Sequence, residues 1–326
     1  MSIYVILATN EGVVVSQPSG DGWQEVRRSL EGQTITSVIA RQGVILAGTR
    51  QGVFRSDDLG LSWIQASAGL DERLVRWMAY HPDITDFELA GTEPAGIYIS
   101  RDGARSWRVC SEVTRMRAAY NWSLPYSPRA GCVRGFAISG SRAYAAVEDG
   151  AVLVSDDGGE EWTLAKGSRG RPDHHPASGF VHSDVHSIAV HPKSPERVYA
   201  PTGGGLYTSH DGGRSWSLIY AHCYCRAVWL DPDLDGHLLL GPADGVDYNG
   251  RIEESLDDGQ TWQMASSGLS VPWPNTMVER FTFIDPELLA ILSNGEVWAA
   301  HQPKFEWQPI FNWLPPVNDI TSMTAG

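Results

Sequence analysis

The chain has 326 residues, 42% of them hydrophobic, with 34 glycines, 19 prolines, 13 tryptophans and a formal net charge of −14. No apolar run reaches the roughly 18 residues of a membrane-spanning helix, and so acidic a balance excludes general affinity for nucleic-acid phosphates. The many aromatic residues exclude wholesale disorder.

The first residues, Ile3–Ala8, form a short apolar stretch with no basic segment before it. A secretory signal is not expected, and the expected location is cytoplasmic. The four cysteines, Cys110, Cys132, Cys223 and Cys225, outline no disulfide framework. Cys223 and Cys225 are expected to pack between strands.

An eight-residue pattern then recurs along the chain. Ser56 to Trp63 has the form S-x-D-x-G-x-x-W, and it returns at Ser155 to Trp162, Ser209 to Trp216 and Ser255 to Trp262. Ser100 to Trp107 keeps it with Ala104 in the glycine place; Ser16 to Trp23 replaces the aspartate with Pro18; Ala300 to Trp307 keeps only the tryptophan. The mean spacing is about 47 residues, a period that means a solenoid or a propeller. The segments between boxes read as short β-branched and aromatic strands broken by Gly and Pro, such as Val185–Val190, Arg197–Ala200 and Gly205–Ser209. Four strands, A to D, fit each repeat, with the box as the C–D hairpin. The seven boxes hold twelve acids and four Lys or Arg, so more than half of the net negative charge lies there.

This pattern resembles the Asp-box, or BNR, repeat over essentially the whole chain. The resemblance implies an all-β, single-domain, seven-bladed β-propeller of four-stranded blades spanning 1–326. The ends support closure: Asn318–Thr324 reads as the strand A missing before Ile3–Ala8 and Gly12–Ser16, so one C-terminal strand joins three N-terminal strands. The resemblance also implies that the boxes are structural and sit on the bottom face, with the D–A and B–C connections on top.

Loop lengths point to that top face. The D–A segments before blades 4 and 5 are long, and the segment Gly241–Gly250 enlarges the B–C loop of blade 6. Loops on a rigid scaffold commonly carry function. Aligning the strands A gives a channel-facing ring of Thr321, Thr36, Arg76, Arg134, His186, Arg226 and Arg280. Such arginines either pair with acids or hold an anion through bidentate hydrogen bonds. Candidate acids from the ends of strand B are Glu93, Glu148, Asp149, Asp244 and Asp247.

On the same inward parity lie Asp184, Tyr224 and Cys132, and further back His182, His222 and Glu72. His182, His186 and His222 could supply three nitrogens to a zinc-like divalent metal; equally, they could serve as hydrogen-bond or acid–base groups. The lid from Val113 to Gly131 carries Arg115, Arg117, Tyr120, Trp122, Tyr126 and Arg129. Trp122 and its neighbours suit a sugar ring, or fill the lid's own small core.

Two functions follow. The chain is similar to sialidase-type Asp-box proteins, which implies Arg134, Arg226 and Arg280, with Arg76 beside them, holding an anion. On that likeness Tyr224 with Glu148 would form the nucleophilic side and Asp184 the acid. Sialidases have six blades, however, and their Phe-Arg-Ile-Pro signature is absent here. The first expectation is therefore a hydrolase or lyase, metal-assisted in one variant through His182, His186 and His222, acting on a small anionic or sugar-like molecule. The second is a binding or assembly-factor propeller with a protein partner, similar to those that help build photosystem II.

Overall fold

A computed structural model describes residues 2–20, 22–124 and 131–325. Tyr126 and Arg129 of the expected lid lie outside the described residues. Seven sheets of four antiparallel strands follow one another along the chain. Strands A are Ile35–Arg41 in blade 2, Leu74–Tyr80 in blade 3, Cys132–Ser139 in blade 4, Ala189–His191 in blade 5, Tyr224–Leu230 in blade 6 and Val278–Ile284 in blade 7. Blade 1 takes its strand A from the C-terminus: Val317–Ala325 pairs antiparallel with Ser2–Thr9, which pairs with Gly12–Ser19 and then Gly22–Ser29. The sheet edges of the first and last segments are thereby closed. Apolar clusters fill the spaces between neighbouring blades, as where Leu89 and Ile97 of blade 3 meet Val133, Ala145 and Trp162 of blade 4.

The boxes are built from side chain to turn amide. Ser56 Oγ donates to Asp58 Oδ1 at 2.7 Å and accepts from Gly60 N at 2.8 Å, and Ser62 N donates to Asp58 Oδ1 at 2.9 Å. The same set recurs around Asp211 and Asp257. The glycine place takes a positive φ, +79° at Gly60, and Ala104 adopts +62° where it stands in place of glycine. Box tryptophans tie blades together: Trp107 Nε1 donates to the Ala66 carbonyl of the preceding blade at 2.8 Å.

The inner strands share a device that aims side chains at the axis. The register shifts between Ile35 and Ser37, Val75 and Trp77, Val133 and Gly135, Cys225 and Val228, Val278 and Arg280, and at Val317–Asp319 opposite Thr9 and Ala8. In blade 5 the matching anchor is Val185, bridged to Thr202. Such a bulge re-aims the extra residue. The ring at this position is Asn318, Thr36, Arg76, Arg134, His186, Arg226 and Glu279. Five residues agree with the aligned ring. Two do not: blade 7 contributes Glu279 rather than Arg280, and blade 1 contributes Asn318 rather than Thr321. Arginine identity misplaces blade 7; the buried apolar residue before each bulge gives the true register.

One helix interrupts the strand pattern. Helix α1, Ser111–Tyr120, opens the D–A connection before blade 4 and ends on a left-handed Asn121. Its Glu, Met, Arg and Ala residues favour a helix over the loop expected for this lid.

The turn hydrogen bonds also hold the box aspartates low. In Asp58 the Ser62 hydroxyl is the largest cause and brings the carboxyl to about 2; in Asp257 the Thr261 hydroxyl leads in the same direction. In Asp102, Asp157 and Asp211 partial burial pushes up, but the turn donors outweigh it. A depressed folded-state pKa contributes stability that is fully present above the unfolded value of about 4 and is lost as pH falls through the folded value. Thermal unfolding followed by circular dichroism should therefore show a falling midpoint from about pH 4 downwards. Replacing Asp58, Asp211 and Asp257 together with Asn should flatten that fall.

Candidate functional site

The channel ring carries its own counter-charge. Glu279 reaches Arg226 Nη1 at 2.7 Å and also bonds Arg134 Nη2. Burial alone would raise the Glu279 carboxyl, yet the charges of Arg134 and Arg226 override it and bring it to about 2. Arg134 further meets Glu148 Oε2 at 3.4 Å, and Arg226 meets Asp247 Oδ1 at 3.5 Å. Arg280 sits one position on, pairs with Asp319 and lies over the Trp77 ring, 3.7 Å from its centroid. Arg76 is the most weakly paired of the four, with Nε 3.7 Å from Glu93 Oε2. Arg76 and Arg50, with Thr36, Asn318 and Ser293, line a cavity of about 240 Å³ at the mouth of the channel. Arg50, on the B–C turn of blade 2, is absent from the sequence-derived candidates because no strand-A alignment reaches it.

A second group forms where blades 4, 5 and 6 meet. Glu148, Asp184 and His186 each bring a ligand-type atom within 4.8 Å of the others. His186 is fully enclosed, with Nδ1 2.8 Å from the Cys225 carbonyl and Nε2 3.1 Å from Asp184 Oδ1. The contact with Asp184 has the distance of a hydrogen bond but not its direction, so Nε2 is left without a hydrogen-bond partner. Burial raises Asp184, but the neighbouring His186, His182 and Arg134 outweigh it and hold the carboxyl below its ordinary value. Tyr224 packs on His186 with ring centroids 4.5 Å apart, and burial pushes its phenol up to about 12. Cys132 Sγ donates to Glu148 Oε2 at 3.1 Å, and burial pushes that thiol well up.

Glycine backbone makes this packing possible. A Cβ on Gly203 would stand 2.3 Å from Asp184 Oδ2, and one on Gly204 would stand 2.7 Å from His182 Cδ2. The run Gly203-Gly204-Gly205 in the B–C turn of blade 5 was the sequence signal for this approach, beyond ordinary turn chemistry.

Asp184, His182, His222 and Tyr224, with Asp244 and His174, line a top-face cavity of about 850 Å³. Its walls are the D–A segment before blade 5 and the enlarged B–C loop of blade 6. His182 is buried and pushed down to about 4 by that burial. Its Nδ1 accepts from Asp184 N at 3.1 Å, and its ring stacks on His174. His222 is exposed on the rim. The three histidines His182, His186 and His222 therefore do not gather around one point; among the described residues the metal-type group is Glu148, Asp184 and His186. His186 follows the buried Val185, which bridges Thr202, and turns to the Cys225 carbonyl, while His182 lines the cavity and His222 is exposed on its rim.

The remaining candidates are paired or packed. Asp149 meets His174 at 2.9 Å, Asp244 meets Arg251 at 3.1 Å and Glu72 meets Arg117 at 3.2 Å. Trp122 lines neither top-face cavity. It is a core residue beneath the lid, and its Nε1 donates to the Gly170 carbonyl at 2.6 Å, joining two long D–A segments. All four cysteines are free and buried; Cys223 and Cys225 pack in the apolar cluster between blades 5 and 6.

The BNR/Asp-box repeat model matches residues 207–218, which span the box of blade 5. The chain folds as a seven-bladed β-propeller and carries Asp-box repeats. No curated protein sequence matches it. Among solved structures, the propeller is similar to a GH74 xyloglucanase from Xanthomonas campestris at 17% identity and TM-score 0.62, covering 85% of this chain and 45% of that one. The chain thus spans less than half of that enzyme's length. It is also similar to YCF48 bound to D1 peptide, at 16% identity and TM-score 0.59, covering 87% and 83% of the two chains. A third is Chaetomium thermophilum Sqt1 bound to the N-terminus of ribosomal protein L10, at 12% identity and TM-score 0.56, covering 95% and 87%. At these identities the likeness is one of fold.

The glycine approach yields a test of the site geometry. Gly203→Ala should fold with a melting temperature near that of the parent, because only the end of a side chain must give way. Its crystal structure should show Asp184 turned away from His186. An unmoved Asp184 would contradict the close approach.

Proposed function

We propose that the propeller binds a small polar, carbohydrate-like molecule in the top-face cavity of blades 5 and 6 and acts on it as a hydrolase or lyase. The supporting observation is the convergence of Asp184 and Tyr224 on the wall of that cavity, backed by the buried His186 and Glu148. The cavity volume falls in the range of small-molecule sites, and its lining sets imidazole, carboxylate and phenol groups beside apolar side chains such as Leu218 and Val246. Asp184 is the acid–base residue in this reading, with His186 Nε2 3.1 Å from its Oδ1. Tyr224 contributes a hydrogen-bonding hydroxyl. Its raised pKa and its contacts with His186 and Arg226 argue against the sialidase-type role of a nucleophile activated by Glu148. The anion-holding role narrows to Arg76 and Arg50, since Arg134, Arg226 and Arg280 already face carboxylates.

A second reading is a non-catalytic binding propeller with a protein partner. It is favoured by two fold neighbours that cover most of both chains and are bound to peptide or protein termini.

A panel of chromogenic glycosides and the corresponding free sugars separates the two. The catalytic reading expects turnover of at least one glycoside, reduced about 10²-fold or more in Asp184→Asn. Calorimetric affinity for the sugar should fall much less. Absence of turnover together with absence of sugar binding would overturn it in favour of the binding propeller.

A further inference from the structure

We infer that Glu148, Asp184 and His186 form a binding site for one first-row divalent metal ion, of manganese or zinc type. This inference stands on the geometry of the three residues and does not depend on the carbohydrate reading above.

The argument begins with His186. Its Nδ1 faces the Cys225 carbonyl at 2.8 Å, and a carbonyl only accepts. Nδ1 therefore carries the ring proton, and in the neutral imidazole Nε2 presents a lone pair. Nε2 lies among carboxylates: Asp184 Oδ1 at 3.1 Å and a Glu148 oxygen within 4.8 Å. Lone pairs gathered around one point repel unless a proton or a metal cation lies between them, and hydrogen-bond geometry toward Asp184 is not met here. Nε2 has no hydrogen-bond partner, although the side chain is fully enclosed. The enclosed, unpartnered nitrogen is a second observation, independent of the clustering of acids.

Arg134 does not fill that place. It is bound to Glu279, meets Glu148 on Oε2, and makes no ion pair with Asp184 among the described residues. Glu148 also accepts from Cys132 and has further contacts, so it enters as an anchored ligand.

The spacing suits coordination. Ligand atoms about 2.1 Å from a metal stand about 3–3.4 Å apart on neighbouring vertices, and the Asp184–His186 separation is 3.1 Å. One imidazole and two carboxylates favour zinc or manganese over calcium, which takes oxygen ligands only. Nδ1 bonded to a carbonyl is the usual outer-shell support of a metal-binding histidine. Asp184 lines the large cavity, so the open coordination positions would face it. Gly203, with no Cβ, leaves the room in which Asp184 takes this position.

The test uses the full chain stripped with chelator and dialysed. Manganese(II) and zinc(II) are titrated by calorimetry, and cobalt(II) is followed by its visible absorption. The expected result is one saturable site, weakened at least about tenfold by Asp184→Asn and by Glu148→Gln and lost in His186→Gln. His182→Gln and His222→Gln should leave it unchanged. Thermal unfolding of each metal-free variant checks the fold; should His186→Gln fail to fold, the partly exposed Asp184 carries the test through Asp184→Asn. Absence of saturable binding, binding indifferent to both carboxylate variants, or binding lost with His182 and His222 instead would each overturn the assignment.

Discussion

Two arginines, Arg134 and Arg226, project into one narrow channel because a single carboxylate, Glu279, stands between them. Buried like charges repel strongly, and each guanidinium would be costly to bury alone. Glu279 bonds both, and its own ionisation is held far below the ordinary range by their charge. Glu148 and Asp247 complete the compensation from the neighbouring strand-B ends. This network locks blades 4, 6 and 7 across the axis. It converts what reads as a positive channel into a nearly neutral floor.

That floor divides the top face. On one side is the small cavity with Arg76 and Arg50, where guanidinium groups retain hydrogen-bonding capacity. On the other is the larger cavity with Asp184, Tyr224 and the loop histidines. Glu148 belongs to both systems, since it touches Arg134 and stands beside Asp184 and His186. A change in the charge network would therefore be felt at the His186 group through one shared side chain.

Much of the fold was legible because box chemistry is local. Serine, aspartate and glycine at fixed offsets satisfy the turn amides within eight residues, so the repeats could be counted from the sequence, the propeller followed from their resemblance to Asp-boxes, and closure from the terminal strand segments. The helix Ser111–Tyr120 was legible in principle from its composition, but the strand pattern around it masked the signal. In the site, Thr36, Arg76, Arg134, His186 and Arg226 were placed correctly because each follows a buried apolar anchor. Blade 7 failed because Glu279-Arg280 offers an arginine one residue late, and side-chain direction in a bulged strand turns on a single residue. The loss of His182 and His222 from the His186 group has another cause. His182 lies on a long D–A segment whose path no strand periodicity fixes, and His222 lies in the short turn between Ser217–Ala221 and Tyr224–Leu230, where its side chain is exposed.

The account rests on Glu279 as the shared counter-charge, and a double-mutant cycle between Glu279→Gln and Arg134→Met, read by chemical denaturation, tests it most directly. The account predicts that the two changes are strongly non-additive, with a coupling above about 1 kcal/mol, because each single change leaves a buried charge short of its partner. Additivity within about 0.3–0.5 kcal/mol would mean that the two side chains do not depend on each other, and would contradict it.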